Sequence, residues 1–387
     1  MPNKSGTRWV VDEKRSRSER MSMLASLTNL ADMESLSLFS PQRQLLGLDI
    51  GSSSIKLVQI KEHRGRYTLQ KFAVKELEPE VIVDGTVMDE GRVVSAIKEL
   101  LAEQNVKLKQ VAISISGHAV IVKKISLPPM PDEELDAQVK LSAEQYIPFD
   151  INEVNLDFHV LPPSENPDEQ SEMSIVLVAA KKDKINELTE LVKAAGLSPV
   201  VMDVDAFAVE NMYGVTSPAT QDDTTILVNI GASVMNVNIV GGGVSLFTRD
   251  IPLGGNRYTE AVQREMGVSF EEAEQLKKSD RDDDHTLASV MESVNAEVAS
   301  EIARTIDYFK TTSSESEIAR VLLFGGGAKV KGLAQQLRDR MHVEVEIANP
   351  FNEIDTSQCD VDPDQLTEMG PLAAVGVGLA LRTVGDR

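Results

Sequence analysis

The chain has 387 residues, of which 42% are hydrophobic and 26% charged, enough for two globular cores of ordinary soluble composition. Its 39 Lys and Arg stand against 61 Asp and Glu, a net charge of -22, which repels nucleic-acid phosphate and argues against a nucleic-acid role. The one cysteine, Cys359, excludes an intramolecular disulfide and suits a reducing compartment. No apolar run reaches membrane-spanning length and no signal peptide with a continuous apolar centre is present, so a cytoplasmic protein is expected.

Residues 1–44 mix basic residues with serines and carry no strand pattern, which predicts a mobile tail. Within it Met21, Leu24, Leu27, Leu30, Ala31 and Leu38 recur near helical spacing. An amphipathic helix over 19–39 follows, either resting on its own domain or offered to an interface or a partner. From Leu45 the pattern reads as two alternating strands (45–50 and 55–61), a charged turn, a strand near 67–74, a helix over 90–104 and a strand at 110–115. A separate module is expected over 121–180: a strand, a proline-rich corner, a helix over 132–146 with Asp132 as N-cap, an alternating run at 154–161 and an apolar strand at 174–180. A helix over 182–195 stops at Gly196, and a strand at 199–203 returns the chain to the first lobe.

A second lobe begins near Thr224 with strands at 226–231, 233–240 and 244–251, then helices over 257–266, 269–278 and 287–311, with an acidic loop at 280–284. A helix over 331–341, a strand at 344–347 and a final helix from Pro371 to Arg382 close the chain. A β-rich opening followed by helices therefore occurs twice, an internal repeat at the scale of a lobe. The expected boundaries are 45–120 for the first lobe, completed by 181–223 and 371–387, then 121–180 for the insert and 224–370 for the second lobe.

Three segments carry the chemistry: LLGLDIGSSSIKL at 45–57, ILVNIGASVMNVNIV at 226–240 and VLLFGGGAKVKGL at 321–333. In each an apolar strand ends at a glycine turn, where small residues let main-chain N–H groups approach an anion. The first two are hairpins, and two hairpin tips facing one another can hold a triphosphate. The five histidines are scattered singly, so a metal site built from them is not expected. No nucleophilic serine or cysteine has a recognisable base partner nearby in the sequence.

These segments, with the closing PLAAVGVGLALR, resemble the actin-like ATPase superfamily over about 45–387. SAEQYIPFDINEVNLDFHVL, LFTRDIPLGGNRYTEAVQREMGVSFEEAEQLKK and ANPFNEI narrow the resemblance to the PilM family of type IV pilus assembly proteins, related to the division protein FtsA. The resemblance implies an α/β fold of two duplicated lobes around a nucleotide cleft, with a small inserted subdomain in the first lobe, and ATP and Mg²⁺ as cofactors. It implies that Asp49 meets Mg²⁺ through water, that Gly51, Ser52, Ser53, Ser54 and Lys56 serve the phosphates, and that Gly231, Ala232 and Ser233 close on them from the other side. Asn229 departs from the aspartate usual in the superfamily; it keeps an acceptor oxygen but removes a charge near the metal, so hydrolysis is expected to be slow or absent. Asp203, in VMDVDAFAVEN, lies where the superfamily orients the attacking water, and helix capping is the alternative for Asp203 and Asp205. Gly325, Gly326 and Gly327 would pass flat against the adenosine, with Lys277 and Lys329 approaching it.

The implied partner is the cytoplasmic N-terminal peptide of a PilN-like inner-membrane protein, held in a groove between first lobe and insert. That arrangement would tether the chain peripherally to the inner membrane and couple it to the pilus motor ATPases, leaving homo-oligomerisation open. Two rival readings are an FtsA-like membrane-tethered filament, which would need the C-terminal amphipathic anchor not seen up to Arg387, and a sugar or acetate kinase. The kinase needs an acidic base and an acceptor pocket, and no dedicated motif for either is present.

Overall fold

The computed structural model describes residues 44–161, 172–217, 223–279, 284–313 and 317–384. The tail helix expected over 19–39 and most of the acidic loop lie outside the described residues.

The first sheet is built on β1 (Leu46–Ile50), β2 (Ser54–His63) and β3 (Arg66–Glu76), an antiparallel meander. After the two-residue strands β4 (Ile82–Val83) and β5 (Thr86–Val87), helix α1 (Glu90–Glu103) starts at Asp89, whose carboxylate accepts from the Arg92 N–H at 3.0 Å. It delivers the chain to β6 (Gln110–Ile115), parallel to β1. Alternation decides the two faces. Leu46, Leu48, Ile55 and Leu57 meet Val93, Ile97 and Leu100 of α1 on one side, while Leu45, Val58 and Ala112 belong to a second core on the other.

The insert comprises β7 (Val120–Leu127), α2 (Asp132–Tyr146), β8 (Val154–Val160) and β9 (Met173–Lys181), with strand order β7-β9-β8. Pro131, not Asp132, occupies the N-cap of α2. Helix α3 (Lys182–Ala194) then leads through Gly196, at φ +86°, to β10 (Ser198–Val204), which completes the first sheet in the order β10-β6-β1-β2-β3.

Helix α4 (Asp205–Thr216) crosses to the second lobe. There β11 (Thr225–Ile230), β12 (Met235–Gly241) and β13 (Val244–Ile251) repeat the meander. Helices α5 (Gly255–Met266), α6 (Phe270–Lys278) and α7 (His285–Thr312) follow, then β14 (Arg320–Phe324), α8 (Leu333–Met341) and β15 (Glu344–Ile347). The second sheet runs β13-β12-β11-β14-β15, the same topology as the first: β14 and β15 take the places of β6 and β10 as parallel partners. The duplication expected from the sequence is therefore present strand for strand.

The chain closes with α9 (Pro363–Met369) and α10 (Ala374–Ala380). The single helix expected from Pro371 to Arg382 is shorter, because Gly370–Ala373 forms a 3-10 turn before α10 begins. Helix α10 packs against α4 and β1 at backbone contact: a Cβ on Gly378 would lie 1.7 Å from the Ala208 carbonyl oxygen, and one on Gly47 2.2 Å from that of Gly376. The core around these helices holds Val58 and Met212 with Leu227, Leu322 and Phe324, so it is shared by both lobes.

Candidate functional site

The first tip, between β1 and β2, is held by the Gly51 N–H donating to the Ser54 carbonyl at 3.1 Å and by the Leu77 N–H donating to that of Ser53 at 2.9 Å. Asp49 ends β1 and pairs in register with Lys56, whose ammonium lies 3.3 Å from the Asp49 carboxylate and 3.4 Å from the Ser54 carbonyl. Both side chains keep only 13% of their exposure, so the pair is largely withdrawn from solvent. Ser52 is half-buried and Ser53 exposed, whereas Ser54 is buried at the head of β2.

The second tip turns through Gly231, Ala232 and Ser233, with the Gly231 N–H donating to the Val234 carbonyl at 2.9 Å. Behind it stands the N-terminus of α5. Gly255 and Asn256 donate their N–H groups to the carbonyls of Gly231 and Ala232 at 2.9 and 2.8 Å, and the Asn256 amide donates to the Ser233 hydroxyl at 3.4 Å. The first N–H groups of that helix are thus spent on fixing the shape of the tip. Gly254 is required: a Cβ would lie 2.5 Å from the Gly231 carbonyl oxygen. The pair Gly254 and Gly255 had no assigned role in the sequence reading, and the signal available was a glycine doublet opening an amphipathic helix.

Asn229 does not project alone. Its amide donates to the Asn236 side-chain oxygen at 3.1 Å, and the Asn236 amide donates to Asp250 at 2.8 Å. The other Asp250 oxygen accepts from the Gly117 N–H at 2.5 Å. A polar chain thus runs from the second tip to the turn that enters the insert. Burial pushes the Asp250 carboxyl up, against the hydrogen bonds from Asn236 and Gly117.

Asp203 and Asp205 have different surroundings. Asp203 is fully buried on β10; its carboxylate accepts from Arg382 Nε at 2.6 Å and from the Val204 N–H at 2.8 Å. That ion pair fastens the end of the closing helix to the first sheet, and a carboxylate with no exposed surface cannot orient a water in the cleft. Asp205, the first residue of α4, is partly exposed and hydrogen-bonds to Ser114 and Ser116. Burial, then the negative charge of Asp49, push its pKa up to about 7; the two serines oppose the rise and Asp250 adds to it. Asp205 therefore feels the charge of Asp49 on β1 and, more weakly, that of Asp250 near the end of β13.

Among the described residues, no group of three or more His, Cys, Asp or Glu could by itself hold a metal ion. The hard oxygens of Asp49 and Asp205 fit a Mg²⁺ ion that keeps most of its waters and takes its other ligands from phosphate.

The three glycines of the third turn divide. Gly325, at φ +82°, and Gly327 are packing positions, since a Cβ on either would lie 2.3 Å from Ile230. Gly326 is exposed, and a Cβ there would meet nothing within 4 Å. The Gly325 N–H donates to the Pro371 carbonyl at 2.7 Å, tying this turn to the closing segment. Lys329 points away to Glu368, 3.2 Å distant. Lys277 is buried beside α5, 2.5 Å from Glu274, 3.0 Å from the Thr259 hydroxyl and 3.2 Å from the Gly255 carbonyl, with burial lowering its pKa against the pull of Glu274.

A family model described as type IV pilus assembly protein PilM matches residues 47–384. The chain belongs to the PilM family. The solved structure of a PilM-PilN type IV pilus biogenesis complex superposes with a TM-score of 0.78 at 31% identity, covering 89% of this chain and 99% of that one. The cell division protein FtsA of Escherichia coli (strain K12) is 22% identical over 352 residues, 79% of this chain and 80% of FtsA. The ethanolamine utilization protein EutJ from Carboxydothermus hydrogenoformans shares the fold at a TM-score of 0.53 and 18% identity, over 88% and 90% of the two chains. This PilM family member has the actin-like ATPase fold and is a pilus assembly protein. No helix among its described residues is long and apolar enough to cross a membrane.

Proposed function

We propose that this PilM family member binds ATP with Mg²⁺ between its two hairpin tips, hydrolyses it slowly or not at all, and captures the cytoplasmic N-terminal peptide of a PilN-like inner-membrane protein. The observation that carries the nucleotide half is the largely buried pair of Asp49 and Lys56 at the first tip, 3.3 Å apart, with the glycine turn of Gly231, Ala232 and Ser233 at the equivalent tip of the second lobe, groups suited to a phosphate and its metal. Lys56 would meet the phosphates, and Asp49 with Asp205 would hold the waters of a Mg²⁺ ion whose contribution is to offset phosphate charge. Gly231, Ala232 and Ser233 would cover the phosphates from the second lobe, and Gly326 would pass along the adenosine. Asp205 would orient a water, but the amide at Asn229 leaves the metal side one charge short, so turnover is slow.

The partner half is supported by the 31% identical relative solved as a PilM-PilN complex. Nucleotide would act by setting the angle between the lobes, which requires unequal affinity for the open and closed arrangements. The chain from Asn229 through Asn236 and Asp250 to Gly117 supports such a link, because it joins the second tip to the root of the insert. Capture of a membrane-anchored partner would hold the chain at the inner membrane, within reach of the pilus motor ATPases. The test is calorimetric titration with ATP and Mg²⁺. Asp49→Ala combined with Lys56→Ala should abolish binding while the circular dichroism spectrum is unchanged; undiminished affinity would remove the site.

A further inference from the structure

Asn295 puts an amide into the apolar stripe of α7. Its buried neighbours along that helix are Val294, Val298, Ala299 and Ile302, and Asn295 itself is 4% exposed. A buried amide without partners costs free energy, so both ends of this one must be engaged. They are. The Asn295 side-chain oxygen accepts from the Tyr258 hydroxyl at 2.8 Å, and its amide donates to the Lys331 carbonyl at 2.9 Å. Tyr258 has no exposed surface, and burial pushes its pKa up, so the hydroxyl remains a donor.

This relay joins two parts of the nucleotide site that lie on different elements. Tyr258 belongs to the first turn of α5, where the N–H groups of Gly255 and Asn256 hold the carbonyls of Gly231 and Ala232 in the second tip. Lys331 closes the third glycine turn, whose beginning is fixed by Gly325 donating to the Pro371 carbonyl and by Gly327 packed on Ile230. Gly332, at φ +85°, then turns the chain into α8, and a Cβ there would lie 3.2 Å from the Asn295 amide nitrogen. Phenylalanine and leucine would fill the same space, so packing by itself does not ask for the polar pair. Two directional hydrogen bonds do what apolar contact cannot: they fix one distance between the segments that they join.

We propose that Tyr258 and Asn295 are positioning residues for the nucleotide: their relay sets the spacing between the second tip and the third turn, so that the phosphates and the adenosine of one ATP molecule reach both at once. Neither side chain would touch the ligand. The assignment rests on the nucleotide reading above.

Full-length wild type, Tyr258→Phe and the double variant Tyr258→Phe with Asn295→Leu are titrated calorimetrically with ATP and Mg²⁺, and amide hydrogen exchange is then read at saturating nucleotide. The single variant cuts the link to α5 and leaves Asn295 on Lys331. The double variant replaces both buried side chains by apolar groups of similar shape, which keeps the fold close to its original stability. ATP affinity should fall about fivefold or more in both, the equivalent of one hydrogen bond. At saturation, exchange should stay slow at 231–233 in all three proteins and become fast at 326–332 in the variants. Wild-type affinity in both variants, whatever their melting temperatures, overturns the relay, and so does protection retained at 326–332. Protection lost equally at both segments overturns it as well, because that is the mark of a helix α5 that has come loose from the core. A wild-type chain that binds no ATP overturns the nucleotide reading together with the relay.

Discussion

Asp203 and Asp205 stand two positions apart and do opposite work. Asp203 shares a face of β10 with Val201 and so turns into the shared core, where Arg382 meets it. At Asp205 the strand has ended, and the carboxylate at the start of the helix meets Ser114 and Ser116 instead. Removing one partner of a buried ion pair leaves an uncompensated charge. Asp203→Ala should therefore cost about 3–5 kcal/mol in urea denaturation, with ATP affinity of the folded fraction intact; loss of affinity without loss of stability would return Asp203 to the site. Asp205 behaves differently because its folded pKa, about 7, lies above the ordinary carboxylate value. The native state holds that proton more tightly than the unfolded chain, so the group's contribution to stability is present in acid and is lost as pH rises through about 7. Asp205→Asn should flatten the fall in melting temperature of the nucleotide-free protein between about pH 4 and about pH 7, from the ordinary carboxylate value up to the folded one. It should also remove the rise in Mg²⁺-ATP affinity that ionised Asp205 gives the wild type over the same window. Parallel pH profiles for the two proteins, by scanning and titration calorimetry, would contradict the assignment.

Among the elements, α10 is the one whose sequence is least tolerant. Gly47 of β1 and Gly378 of α10 bring that helix to backbone contact with β1 and α4, and Gly376 lies against the Val58 side chain. Gly378→Ala drives a methyl group into the Ala208 carbonyl, which can move only if α4 moves; the expected loss in denaturant unfolding is about 3 kcal/mol or more. Gly326→Ala is the matched contrast. Its Cβ meets nothing within 4 Å, so stability should stay within about 0.5 kcal/mol while ATP affinity falls. Equal destabilisation by the two substitutions would mean that the third turn is packed rather than open to ligand.

The whole molecule has two sheets of identical topology but not two independent cores. The cluster around α4 and α10 takes residues from both lobes, and Tyr213 of α4 donates its hydroxyl to Thr225 of β11 at 3.1 Å. The lobes should therefore unfold in one transition by scanning calorimetry. A ligand that binds only the folded state should shift it upward, by about 2.7 kcal/mol at a hundredfold excess over Kd. Two resolved transitions, with nucleotide moving only one, would show that the cleft is not shared. Between the lobes, Lys278 lies 3.9 Å from Glu76 with both side chains largely exposed, while the Gly117 N–H donates to Asp250 at 2.5 Å.

The sequence alone determined the strand and helix periodicities, the duplicated meander, the insert and the hairpin tips around Asp49, Lys56 and Gly231, because these depend on spacing within one segment. It also held the family relationship, carried by the order of those segments. It did not distinguish Asp203 from Asp205, Gly326 from its packed neighbours, or the relay from Asn229 to Gly117. Each of those depends on which distant element arrives beside the residue: Arg382 from 179 positions away, Ile230 from the neighbouring strand, Asp250 from across the cleft. Only tertiary packing decides which polar group is spent on the fold and which is left facing the cleft, since burial and partner geometry, rather than residue type, set what a carboxylate can do.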